Sequence, residues 1–125
     1  MVGTALYGCG KSGEHRDEAA VVSRAIDQLR EAKNEDKAPR LAALRATPCS
    51  QPDTCGVRDR CALAYATHQE GLGALSEARR TADPSVQATS ITRAEQLLAT
   101  AKAQMTQCVD SQGELIRAHK LGDLK

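Results

Sequence analysis

The chain has 125 residues, of which 17 are basic and 16 acidic, so its formal net charge is +1. It contains no Trp, no Phe and only two Tyr. Nucleic-acid binding requires a basic surface and stacking rings, so this composition predicts no nucleic-acid partner. No apolar run approaches the ~20 residues that a helix needs to span a bilayer.

The composition predicts an all-α fold. Ala is the commonest residue, and the apolar positions are mostly Ala, Leu, Val and Ile. These residues suit closely packed helices better than a sheet, which favours aromatic side chains. We therefore predict an antiparallel helical bundle of three long helices and one short helix, stapled by disulfides. The bundle domain takes residues 14–125, and residues 1–13 form an N-terminal tail or lipoprotein processing region.

One short motif stands near the N-terminus: Leu6-Tyr7-Gly8-Cys9. It resembles the lipobox of bacterial lipoproteins, which has a Leu three residues before the cysteine and a small residue just before it. The resemblance covers these residues only. It implies cleavage of a signal peptide before Cys9, a diacylglycerol on the Cys9 thiol, and a lipid-anchored protein of the bacterial periplasm or outer membrane. The first eight residues depart from the pattern, because none of them is Lys or Arg.

Two helices are predicted in the first part of the chain. The first spans 14–37, with Ser12 as its N-cap. The second spans 38–46, is capped by Asp36 and is stopped by Pro48. The apolar positions of the first recur at steps of three and four residues, which is the period of one helix face: Ala19, Val22, Ile26 and Leu29.

The stretch 47–61 carries three cysteines spaced six residues apart, Cys49, Cys55 and Cys61, with two prolines among them. It predicts a helix-free hinge that disulfides staple. The third predicted helix follows from a cap at Asp53 or Thr54 and runs to residue 82. Its apolar seam includes Cys61, which therefore belongs to the helix, whereas Cys49 and Cys55 belong to the loop.

The fourth helix is predicted from Pro84 to residue 121, with Asp83 as its cap and Gly122 as its stop. Leu124 is expected to fold back on the helix end. The seam of this helix repeats in a rhythm close to heptads: Ile91, Ala94, Leu98, Ala101, Met105, Cys108, Gln112, Leu115 and His119.

The tight turn at Pro84 predicts an antiparallel pair of helices, in which Cys61 faces a position near residue 106. Cys108 lies two residues away, so Cys61–Cys108 is the favoured bridge and Cys49–Cys55 is the pair left over. Cys55–Cys108 is the runner-up, since four cysteines allow three connectivities. The favoured bridge closes a loop that is worth roughly 4 kcal/mol in the chain-entropy treatment.

A metal- or cofactor-binding bundle that uses Cys, His or Met side chains is the alternative. Cys49, Cys55, Cys61 and His68 are its candidate ligands, but zinc modules use shorter knuckles. Cys61 and His68 are two helical turns apart, about 10 Å. We therefore predict no metal ligand and no cofactor. A cytosolic protein with reduced thiols is a third possibility.

No catalytic residue is predicted, because neither a nucleophile elbow nor a metal-binding pair on one helical turn is present. We expect a protein that is not an enzyme. The sequence is most consistent with a non-catalytic (lipo)protein of the bacterial cell envelope that acts as a small structural or protein-interaction helical domain. Its expected partner is another envelope protein.

Overall fold

The computed structural model describes the backbone of residues 2–124 and the side chains of residues 13–122. It is all-α, as predicted, and residues 2–124 contain no strand. The fold is a disulfide-stapled bundle of three long helices and one short helix. The helices, with two short 3-10 turns at Asn34–Asp36 and Leu121–Leu124, are α1 Val2–Glu31, α2 Lys37–Ala46, α3 Pro52–Arg80 and α4 Pro84–His119.

Helix α1 begins at Val2, so the predicted start at residue 14 with Ser12 as N-cap is wrong. No proline lies between residues 2 and 31, and each residue added to a formed helix gains a backbone hydrogen bond. The helix also ends earlier than predicted. The Lys37 ammonium donates to the carbonyls of Leu29 (2.9 Å) and Arg30 (3.0 Å), which satisfies the helix end directly.

The non-helical link between α2 and α3 is shorter than predicted and covers residues 47–51 only. Pro52 takes the first position of α3, where its missing N–H costs nothing. The Cys55 N–H donates to the Gln51 carbonyl at 2.8 Å, so Cys55 lies in the first turn of the helix and not in the loop. The expectation that Cys55 belongs to the loop is therefore wrong, whereas Cys61 lies in α3 as predicted.

The chain divides into two compact units, one made of residues 1–59 and 110–125 and the other of residues 60–109. We call the second the hairpin unit, because it consists of the C-terminal part of α3, the turn and the N-terminal part of α4. The first unit buries aliphatic side chains from all four helices, and these form its core: Val22, Ile26, Leu29, Leu41, Leu44, Val57 and Leu115.

The turn of the hairpin unit is built as the sequence predicts. Asp83 Oδ1 accepts hydrogen bonds from the backbone N–H groups of Ser85 (2.9 Å) and Val86 (3.4 Å), which confirms it as the cap of α4. The Gln87 amide donates to the Ala78 carbonyl at 3.2 Å, which satisfies a carbonyl near the end of α3. These bonds fix how the two helices of the hairpin meet.

Small residues fill the hairpin interface, and they include Ala74, Ala78, Ala94 and Ala101. The predicted seam of α4 is wrong at Ile91, which is 40 % exposed, while its neighbour Ser90 is buried. Helices with Ala-rich faces pack closely, so a small residue fits the contact and a larger one is left at its edge.

Gly71 is a point of close approach between α3 and α4. A Cβ at this position would lie 2.7 Å from Leu98 Cδ2 and 2.8 Å from Leu98 Cγ, whereas a Cβ on Gly73 would meet nothing within 4 Å. We expect Gly71→Ala to lower the free energy of unfolding by about 1 kcal/mol, because overpacking outweighs the gain in helix propensity. Gly73→Ala, the matched control, should raise it by about 0.5–1 kcal/mol. Urea denaturation of both variants measures the difference, and an equal gain in both would disprove the close packing.

The end of α4 departs from the prediction. The left-handed residue is Lys120, with φ of 55°, and no described glycine has a positive φ, so Gly122 is not the stop. The Arg16 guanidinium donates to the carbonyls of His119 and Lys120, each at 3.2 Å, and thereby satisfies the helix end. Leu121 is buried, and the predicted contact of Leu124 lies outside the described side chains.

Candidate functional site

Two disulfides cross-link the chain, Cys49–Cys55 and Cys61–Cys108. Their Cα atoms are 5.5 Å and 4.7 Å apart, within the range that the bond requires. The favoured pairing is thus confirmed, and the alternative Cys55–Cys108 is wrong. Cys61–Cys108 ties the two helices of the hairpin unit, and Cys49–Cys55 ties the link 47–51 to the first turn of α3.

The two bonds differ in their access to solvent. Cys61 and Cys108 are both 0 % exposed and belong to the core of the hairpin unit. Cys49 and Cys55 are each partly exposed. The first bond is therefore embedded in packed structure, whereas the second joins two residues that solvent partly reaches.

Glu18 holds the link between α2 and α3 in place. Its Oε1 accepts from the backbone N–H groups of Ser50 (2.7 Å) and Gln51 (3.0 Å), and its Oε2 accepts from the Ser50 hydroxyl at 2.8 Å. One carboxylate on α1 thus anchors the two residues that follow Cys49. Charge-assisted bonds of this kind are stronger than neutral ones.

Asp53 and His119 form a second anchor in the same unit. His119 Nε2 lies 2.9 Å from Asp53 Oδ2, and Asp53 Oδ1 accepts from the Thr54 N–H at 2.8 Å. The hydrogen bond with His119 lowers the pKa of Asp53, partial burial opposes it, and the Thr54 N–H lowers the pKa further. We call Glu18, Ser50, Gln51, Asp53 and His119 the hinge cluster.

Because of the hinge cluster, we expect the free energy of unfolding to depend on pH in the acid range. Partial burial raises the pKa of Glu18, but the hydrogen bonds from Ser50 and Gln51 outweigh it, so the pKa lies below its usual value. The pKa of Asp53 is lowered too, so both carboxylates add stability above their unfolded pKa values, near 4. That stability is lost as the pH falls through the lower folded values.

We expect Glu18→Gln to lower the free energy of unfolding by about 1 kcal/mol at neutral pH, since solvent screening weakens a partly exposed group. The loss should shrink as the pH falls below about 4. Denaturant titrations at several pH values measure it, with Glu14→Gln, at an exposed position of α1, as the control. An identical pH profile for Glu18→Gln and the parent protein would contradict the anchor.

A polar network lies in the same unit, around the buried side chain of Gln112. Its amide nitrogen donates to the Ser23 carbonyl (3.2 Å), the Ser23 hydroxyl (3.0 Å) and Asp27 Oδ1 (2.9 Å). Its amide oxygen accepts from Arg30 at 2.7 Å, and Arg30 pairs with Asp27 at 3.1 Å. Gln112 is only 3 % exposed, so these bonds fix α4 against α1.

The hairpin unit exposes aliphatic side chains. Among the described residues, it holds four of the five large apolar side chains that are strongly exposed: Leu63, Val86, Ile91 and Val109. On α4, Ile91, Leu98 and Met105 recur every seven residues, so they lie on one side of the helix, and Val109 follows one turn later. We call Ile91, Leu98, Met105 and Val109 the α4 stripe. Ile91 and Val109 are 40 % and 50 % exposed, whereas Leu98 and Met105 are half-buried and Leu98 lies close to Gly71 of α3.

The remaining predicted residues fall outside any shared site. Cys9, the candidate for lipidation, lies outside the side chains that the structure describes. Of the candidate ligands, all three cysteines are consumed in disulfides and His68 is half-buried. Among residues 13–122, no group of three or more His, Cys, Asp or Glu side chains is placed to hold a metal ion.

The sequence gives no local signal for some residues of the hinge cluster. Glu18 lies among charged positions of α1 and His119 on the predicted seam of α4, yet they form hydrogen bonds to residues 32 and 66 positions away. The predicted cap of α3 at Asp53 or Thr54 is wrong, because the helix begins at Pro52 and Asp53 lies in its first turn.

Comparison of the chain with protein-family models, curated proteins and solved structures gave no match. Across the helices that the structure describes, none combines the length and the apolar character needed to cross a membrane.

Proposed function

We propose that the chain is a non-catalytic domain of the bacterial cell envelope that acts as a small structural or protein-interaction helical domain. The observation that carries the proposal is the pair of disulfides. Such bonds form and persist in oxidising compartments, such as the bacterial periplasm, and are rare in reducing ones. The lipobox-like residues before Cys9 point to the same compartment.

The partly exposed α4 stripe supports the interaction role. Exposed aliphatic side chains that fall on one helix face are typical of surfaces that bind another protein. The four cross-linked cysteines also stiffen the domain, and a rigid surface loses less conformational entropy on binding. The proposed partner is therefore another protein of the envelope that covers this stripe.

Thiol trapping tests the compartment. Cells that express the native gene are quenched in acid, and their free thiols are alkylated before the protein is isolated. We expect four of the five cysteines to resist alkylation until a reductant is added. Five alkylated cysteines in protein from living cells would contradict export, even if purified protein later oxidises in air.

Crosslinking in the intact envelope tests the interaction. We expect Ile91→Asp to abolish the crosslinked partner band, because a charge in the stripe opposes burial of its neighbours. Gln96→Asp is the matched control, since Gln96 is exposed on the opposite side of α4 and the substitution adds the same charge. Equal loss, or equal retention, of the partner in both variants would contradict the assignment of the stripe.

Metabolic labelling tests the lipid anchor that we propose on Cys9. An alkyne-bearing fatty acid should label the protein expressed from its native gene, and Cys9→Ser should remove the label. The double variant Cys49→Ser/Cys55→Ser should keep it, because these residues form a disulfide. Labelling that persists in Cys9→Ser would overturn the proposed site.

A further inference from the structure

We propose that Cys49–Cys55 is a site of thiol–disulfide exchange with a dithiol partner, whereas Cys61–Cys108 is a permanent structural bond. The proposal stands apart from export, since it depends only on the surroundings of the two disulfides. Exchange requires a thiolate to reach a sulfur atom. Both sulfurs of Cys49–Cys55 belong to partly exposed residues, while Cys61 and Cys108 are 0 % exposed.

The position of Cys55 makes it the leaving group. It lies in the first turn of α3, where the positive end of the helix dipole favours a thiolate. Arg58 is its neighbour one turn later. Its guanidinium donates to the Thr47 carbonyl at 3.0 Å, which holds it beside the link, and its Nε also pairs with the exposed carboxylate of Asp59 at 3.0 Å. A stabilised thiolate leaves faster, so the attack falls on Cys49.

Two acidic side chains near the bond oppose a thiolate, but each is engaged elsewhere. The Glu18 carboxylate accepts three hydrogen bonds from Ser50 and Gln51. Asp53 pairs with His119 at 2.9 Å. Their repulsion of an anion at Cys55 is thereby reduced. The helix end remains to stabilise the anion, and Arg58 adds a smaller contribution because its charge is shared with Asp59.

The exchange takes place in two steps. A thiolate of the dithiol attacks Cys49 Sγ, the S–S bond breaks, and Cys55 leaves with the electron pair as a thiolate that takes up a proton. The second thiol of the dithiol then attacks the mixed disulfide and releases Cys49, which is protonated in turn. The dithiol loses two electrons and two protons and becomes a disulfide, and the cysteine pair gains them.

Opening this bond leaves the fold intact. Cys49 and Cys55 are separated by only 6 positions, against 47 for Cys61–Cys108, so the loop that opens is short. The bonds from Glu18 still hold Ser50 and Gln51 when the disulfide is open. The pair can therefore cycle between the disulfide and the dithiol within a folded domain.

Timed reduction of the full chain tests the proposal. Oxidised protein is exposed to dithiothreitol, quenched with an alkylating reagent and digested with trypsin. Peptide 46–58 contains both Cys49 and Cys55, and peptides 61–79 and 103–117 contain Cys61 and Cys108. We expect Cys49–Cys55 to open at least about ten-fold faster than Cys61–Cys108 in native buffer, with the rates converging in guanidinium. Equal rates in native buffer, or earlier opening of Cys61–Cys108, would overturn it.

Trapping with glutathione tests which sulfur is attacked. Fragmentation of peptide 46–58 should place the glutathione mainly on Cys49, and Arg58→Gln should slow the exchange by about two- to three-fold. Arg80→Gln, at an exposed position of the hairpin unit, is the control and should not change the rate. Glutathione mainly on Cys55 would overturn the assigned polarity. Each measurement is repeated in Cys9→Ser, which removes the remaining thiol.

Discussion

Replacing Cys61 and Cys108 together by Ala is expected to lower the free energy of unfolding by about 4 kcal/mol. The bond joins residues 47 positions apart, so its loss restores a large chain entropy to the unfolded state. Both cysteines are fully buried, and two Ala side chains also leave unfilled space in the hairpin. The melting temperature should fall by about 15 °C for a domain of this size.

The matched control is the double variant Cys49→Ala/Cys55→Ala. Its loop spans only 6 positions, so the same treatment gives about 2 kcal/mol. Calorimetry or urea denaturation of the two double variants, in parallel with the parent protein, measures the difference. If the variant without Cys61–Cys108 lost less free energy of unfolding than the variant without Cys49–Cys55, then Cys61–Cys108 would not be the more stabilising disulfide.

Gln112→Leu is expected to cost about 2–3 kcal/mol. Leu has a similar volume, but it leaves the Ser23 hydroxyl, Asp27 and Arg30 without the amide that joins them. A buried polar group that loses its partner costs about 1–3 kcal/mol, and this applies to the buried Ser23 hydroxyl. The side chains of Asp27 and Arg30 are 41 % and 39 % exposed and can bond to water instead, so their contribution is smaller. The urea midpoint should fall while the slope of the transition stays constant.

Gln107→Leu provides the control, because Gln107 is exposed on the same helix. It should change stability by less than about 0.5 kcal/mol, as is usual for surface substitutions. A Gln112→Leu variant as stable as Gln107→Leu would contradict the view that this network fixes α4 against α1.

The features that local chemistry dictates could be predicted from the sequence. Asp83 and Pro84 set the start of α4, and the antiparallel register that follows brings Cys61 to Cys108. Helix periodicity placed Val22 and Ile26 in the core, where they are fully buried. These predictions succeeded because each depends on neighbours in the chain or on a single tight turn.

The features that failed depend on contacts between distant residues. Lys37 ends α1 by capping two carbonyls, and Arg16 satisfies the end of α4, so neither end follows its local signals. Ser90 and Ile91 are adjacent in α4. Ser90 is buried and Ile91 is exposed, because the closely packed interface has room only for a small side chain. The residue pattern within a single helix does not predict features that depend on contacts with another helix.

The same limit applies to the hinge cluster. The pairs Glu18–Ser50 and Asp53–His119 join residues 32 and 66 positions apart. A charged side chain on an exposed helix face usually has only water as its partner, and the sequence does not mark the exceptions. The cysteines can be recognised from the sequence because they have chemistry of their own, whereas the carboxylates that support them depend on the folded structure.

Peptide mapping without reductant is the most direct test that Cys49 pairs with Cys55 and Cys61 with Cys108. The protein is alkylated under denaturing conditions, digested with trypsin and analysed by mass spectrometry. We expect peptide 46–58 with an internal disulfide, lighter by two hydrogens, and peptide 61–79 linked to peptide 103–117. Alkylated cysteines in all three peptides, or peptide 46–58 linked to either of the others, would contradict it.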